Sequence, residues 1–107
     1  MTEDVLVVFT TWPDATAARA AARVLVEERL AACANLVPAI ESIYRWEGKV
    51  ETANEVLMIL KSTLGRYEEL ETRIKALHSY EVPEIIGLPV NEGLLSYLRW
   101  VQDACNT

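Results

Sequence analysis

The one histidine of the chain, His78, is followed within six residues by Glu81 and Glu84. An imidazole helped by carboxylates suits a divalent cation, Cu(II) or Zn(II) first, and Cu(II) ahead of the other divalent ions by the Irving–Williams order. A transition-metal site usually needs three or four donors steadied by further hydrogen bonds, so His78 alone makes none. A plainer role is open to it, because His78 directly follows an amphipathic stretch and a cationic ring complements the dipole at a helix C-terminus. Glu81 and Glu84 are close enough to be neighbours, but on a short connector they are a thin basis for acid–base work. Other catalytic patterns are missing: the sequence has no Gly-rich phosphate loop, no GxSxG elbow and no HExxH pair. Phe9-Thr10-Thr11-Trp12-Pro13 holds neither the Gly nor the Arg that a phosphatase loop near the first strand would need.

The two cysteines, Cys33 and Cys105, stand far apart, which excludes a CxxC motif and an iron–sulfur cluster. Cys33, between Ala32 and Ala34, reads as a small core residue, and Cys105 as incidental to the tail. The net charge is −6, and the ten Lys and Arg are dispersed rather than clustered, so nucleic acid and anionic membranes are poor partners. Met1-Thr2-Glu3-Asp4 is acidic where a secretory signal is basic, and no run approaches the ~18 apolar residues of a membrane span. The expectation is a soluble, cytoplasmic protein, a single domain over residues 1–107.

The elements follow from periodicity. Leu6-Val7-Val8-Phe9 is an all-apolar run, as in a strand covered on both faces. Thr11 or Asp14 can cap a helix that tolerates Pro13 in its first turn and carries Ala17, Ala21, Val24 and Leu25 at helical spacing. From Ala32 to Lys61 the period becomes extended. Ile40, Ser42, Tyr44 and Trp46 share one face, Glu47-Gly48-Lys49 turns, and Val56, Met58 and Leu60 alternate on the return, with a bulge expected near Pro38. Tyr67, Leu70, Ile74 and Leu77 then form a helical stripe, with Glu69–Arg73 and Glu71–Lys75 pairs on its wet face. Residues 78–83 connect to a short buried strand over 85–90, and Leu94, Leu98 and Val101 mark a closing helix. Trp100 is expected to pack on that helix, and Trp12, before Pro13, to be exposed in a loop.

The order β-α-β-β-α-β-α contains the ferredoxin-like βαββαβ sandwich, an α+β class, with a long hairpin between the second and third strands and an added C-terminal helix. Two right-handed crossovers would place the first and last strands beside parallel neighbours. An arm of ~14 residues at ~3.3 Å each spans ~45 Å. A compact domain of this length is roughly 34 Å across, so the hairpin should overshoot it. With 51% hydrophobic residues, more than one small core needs, the economical cover for that arm is another subunit.

Three stretches together resemble the CutA family: Ala31-Ala32-Cys33-Ala34-Asn35 running on to Ser42-Ile43-Tyr44-Arg45-Trp46-Glu47-Gly48-Lys49; Glu55-Val56-Leu57-Met58-Ile59-Leu60-Lys61; and His78-Ser79-Tyr80-Glu81-Val82-Pro83-Glu84-Ile85. The resemblance runs nearly end to end. It implies a tight homotrimer of ferredoxin-like subunits, similar in architecture to PII signalling proteins, with the hairpins reaching between subunits and a role in divalent-cation tolerance or metal response rather than catalysis. It also implies that Tyr44, Trp46, Glu47, Lys61, Tyr80 and Glu84 either line a pocket at a subunit cleft, open to a metal ion or small ligand, or anchor the interface, the second being favoured for Tyr44 and Trp46. Copper-binding bacterial members can carry a Cys and a pair of His where this chain has Thr10, Leu77 and His78, and Ser79 replaces a Pro often found in the family between the His and the Tyr of the connector. One ligand of three remains. A module that docks another protein is the alternative role, and a ferredoxin-fold enzyme a more distant one.

Overall fold

The structure, a computed structural model, describes residues 4–106; the acidic start at residues 1–3 and residue 107 lie outside the described residues. The chain runs through β1 (Val5–Trp12), α1 (Ala15–Glu27), β2 (Cys33–Trp46), β3 (Lys49–Thr63), a 3-10 turn (Leu64–Arg66), α2 (Tyr67–Leu77), β4 (Ile85–Pro89) and α3 (Leu95–Ala104). This is the ferredoxin-like α+β arrangement with a closing helix. The sheet order is β2-β3-β1-β4, and every neighbouring pair is antiparallel. The expected parallel neighbours do not occur, because each crossover carries the chain past one strand that runs the other way.

Alternation in β1 sends Leu6, Val8 and Trp12 into one core with Val56, Met58 and Leu60 of β3. Helices α1 and α2 cover this face through Ala18, Ala21, Ala22, Leu25, Leu70 and Ile74. The small alanines let α1 lie close to the strands. Asp14 rather than Thr11 caps it, accepting from the Ala17 amide at 2.8 Å. Trp12 is not in a loop: β1 continues through it, and the side chain is 1% exposed. On α2 the predicted stripe packs inward, but Arg73 does not pair with Glu69. Its guanidinium fork grips both oxygens of Glu28 beyond α1, at 2.9 and 3.0 Å, and Glu69 pairs with Arg66 instead. The pull of Arg73 holds the Glu28 carboxyl below the usual carboxylate range.

The opposite face is covered only in part. There α3 closes a small second cluster of Val5, Ala32, Val101 and Cys105. Cys105 is therefore buried, whereas Cys33, at the start of β2 and away from α1 and α2, is only half-buried. Trp100 lies half-exposed on α3 against Tyr97, with ring centres 5.5 Å apart. The strand over 85–90 is not buried either: β4 is an edge of the sheet, and Ile86 and Leu88 face outward.

The β2–β3 hairpin projects from this body. The molecule measures 46 × 25 × 22 Å, its long dimension matching the ~45 Å expected of the arm. Glu47 and Gly48 both take positive φ, 50° and 79°, the twist a two-residue hairpin turn needs. Near Pro38 the register slips: Val37 pairs with Leu57 and Ile40 with Glu55, so two residues of β2 oppose one of β3. Ala39 takes up this bulge at a φ of 60°. The extra residue changes which side chains share a face beyond it, bringing Ile40, Ser42, Tyr44 and Trp46 to the side of Glu55.

Candidate functional site: a cleft at the base of the hairpin

Where the hairpin leaves the body, the connector between α2 and β4 folds over the end of β1 and borders an open cleft of about 550 Å³ that extends along the arm toward its turn. Ser42, Ile43, Tyr44 and Trp46 of β2 form one wall, Glu55 of β3 and Thr11 of β1 the floor, and Tyr80, Glu81, Val82 and Glu84 the other wall. The connector is pinned by His78. Its Nε2 donates to the Thr11 carbonyl at 2.6 Å, and its Nδ1 accepts from the Tyr80 amide at 3.1 Å. A carbonyl can only accept and an amide only donate, which fixes the neutral ring as the Nε2–H tautomer. The ring stacks on Trp12, with centroids 4.1 Å apart at 24°, and leans on Tyr80 at 4.6 Å.

Tyr80 in turn reaches Glu55, donating from its hydroxyl to Oε2 at 2.7 Å. Burial, reinforced by the hydrogen bond to Glu55 and its charge, holds the Tyr80 phenol well above the ordinary phenol value near 10. Glu55 itself is 8% exposed. The cleft therefore combines aromatic walls with a carboxylate at its floor, and its lining includes three glutamates but no Lys, Arg or His.

Of the residues singled out in the sequence, Tyr44, Trp46, Tyr80, Glu81 and Glu84 meet in this cleft. Glu47 sits in the hairpin turn, and Lys61 lies at the far end of β3, opposite Cys33 and hydrogen-bonded to Asn35. His78 stands behind Tyr80 with both ring nitrogens engaged by the backbone. Among the described residues no three His, Cys, Asp or Glu side chains group closely enough to hold one metal ion. Thr10 is sealed into the helix-covered face, its hydroxyl buried without a partner, as is the Trp12 indole nitrogen. The lining residues that the sequence did not single out as site candidates are Thr11, Ser42, Ile43, Glu55 and Val82. The signal for Glu55 was its place directly before the apolar run Val56–Leu60, on the opposite face from Val56 and Met58.

The chain matches the family described as CutA1 divalent ion tolerance protein over residues 6–104. It belongs to that family. The divalent-cation tolerance protein CutA of Thermus thermophilus is 50% identical over 97 residues, covering 91% of this chain and 94% of that one. Human protein CutA is 47% identical over 94 residues, 88% of this chain. This chain spans 52% of the human relative, 54% of the Arabidopsis thaliana one and 56% of one from Oryza sativa, about half of each. Solved CutA1 structures from Thermus thermophilus and Oryza sativa superpose with TM-scores of 0.92 and 0.93 at 48% and 44% identity. They cover 94% and 96% of this chain, matching 97% and 94% of their own. The fold and the family are thus those the three sequence stretches implied. No helix among the described residues is long and apolar enough to cross a membrane.

Proposed function

We propose that this divalent-cation tolerance family member works as a homotrimeric binding protein of the metal-response or signalling type, not as an enzyme, with the cleft at the hairpin base as its ligand site. The observation that carries this reading is the arm. Ile43 is 68% and Val50 64% exposed, Tyr44 and Trp46 are exposed beside them, and β2 presents a 14-residue sheet edge. An apolar, unpaired edge of that length invites another chain. Hairpins exchanged around a three-fold axis would cover it and complete the cleft wall formed by Tyr44 and Trp46.

Cu(II) enters this reading as a weak ligand. Glu81 and Glu84 are exposed on the connector, while an ion at His78 would have to displace a backbone bond. The expected dissociation constant is above ~1 μM. A cytoplasmic location fits the two free cysteines, as a reducing compartment favours thiols; plant relatives are named chloroplastic. The test is thermal melting across a hundredfold range of protein concentration. Coupled unfolding and dissociation makes the midpoint rise with concentration, and a midpoint that does not move contradicts the assembly.

A further inference from the structure

The cleft's own chemistry narrows its ligand, an inference that rests on the binding role given above. Glu55 lies at the floor, nine-tenths buried, with Tyr80 donating to one of its two oxygens. None of the ion pairs among the described residues reaches it; they join Arg23 to Glu27, Arg66 to Glu69 and Arg73 to Glu28. A carboxylate withdrawn from water without a cation is costly, and a single phenol hydroxyl repays only part of that. The cleft thus offers three carboxyl groups, one of them buried, and no basic side chain to balance them.

A bare metal ion is the wrong shape for it. The three glutamates that share the cleft do not group closely enough to close around one ion. The volume of about 550 Å³ is that of a small-molecule site, typically ~300–1,000 Å³. The walls, moreover, are Tyr44, Trp46 and Tyr80, whose ring faces attract organic cations. A buried carboxylate oxygen asks for an N–H donor, since charge-assisted hydrogen bonds of that kind are the strong ones. We infer that the cleft binds a small organic ammonium ion, a primary or secondary amine in its charged form, with its N–H groups on Glu55 and its carbon body against the aromatic walls.

The test is isothermal titration of the intact protein, as it assembles, with n-butylammonium chloride. 1-Butanol, sodium butyrate and manganese(II) chloride serve as matched probes at constant ionic strength. The ammonium should bind once per chain, with butanol and butyrate at least about tenfold weaker. Glu55→Gln keeps the shape and removes the charge, and should weaken the ammonium about tenfold. Glu84→Gln, on the exposed rim, cannot disturb the core and should weaken it about threefold. The inference is overturned if butyrate or manganese binds as tightly as the ammonium, if both glutamine variants bind it unchanged, or if it gives no binding at ~10 mM. Butyrate or manganese binding that disappears in Trp46→Ala would overturn the ammonium class while leaving the cleft as the site. Failure of every probe, with an assembly of normal mass, would remove the cleft and not the trimer.

Discussion

The helix-covered body and the β2–β3 arm are built from the same kinds of side chain and end in opposite surroundings. In the body, Leu25, Met58, Leu60, Leu70 and Ile74 are fully enclosed between sheet and helices. In the arm, Ile43, Val50 and Trp46 lie open. Nothing in residue type separates the two groups; the difference lies in what the chain itself can bring to cover them. Two crossover helices suffice for one face of four strands, and α3 is too short to cover the other face and the arm as well. Apolar residues that one chain cannot bury are best explained by other copies of it.

Substitutions can break or sharpen this contrast. The largest effect is expected in the body, where Leu60→Ala should cost about 2–5 kcal/mol through lost burial and a cavity. Chemical denaturation should show that loss at every protein concentration. Trp46→Ala, in the arm, should cost about 2 kcal/mol, and here the loss should grow as the protein is diluted. If the two variants respond alike to dilution, body and arm are not held by different partners.

Tyr80→Phe addresses the junction of the two regions. It takes away the donor to the Glu55 carboxylate and should cost about 1.5 kcal/mol near neutral pH. The same bond sets an alkaline limit. Because the folded-state pKa of Tyr80 is raised, its contribution is fully present below the unfolded phenol value near 10 and is lost as pH climbs above it. Melting curves taken from pH 8 upward should fall beyond about pH 10, and less steeply in the Phe variant. The smallest effect has the opposite sign. Thr10→Val replaces a buried, unpartnered hydroxyl with a methyl of similar shape and should stabilise the body by about 1 kcal/mol.

How far the sequence could be followed depended on whether a signal was local. The stripe on α2, the turn at Glu47-Gly48-Lys49 and the bulge near Pro38 are written in neighbouring residues, and the fold follows them, tightening the turn to Glu47-Gly48 as Lys49 opens β3. What the sequence left hidden depends on distant packing. Trp12 reads as a loop residue beside Pro13, yet β1 runs on through it, paired with Val56 of β3, and His78, 66 positions later, stacks on its buried ring. Cys105 looked incidental until α3 folded it against Val5 and Ala32. Within the cleft, Tyr44, Trp46, Tyr80 and Glu84 were legible as members of the family's motifs. Glu55 opens one of those motifs too, but its place in the site was not legible, since a glutamate in an alternating strand reads as a solvated residue. Only the bulge, which turns Tyr44 and Trp46 to its side, and the Tyr80 hydroxyl above it reveal its burial.

Sedimentation equilibrium on the purified protein at micromolar concentration tests the central claim most directly. The account predicts a single species at three times the 12.0 kDa chain mass. A well-folded species at the mass of one chain would contradict it, since the exposed arm would then need no partner.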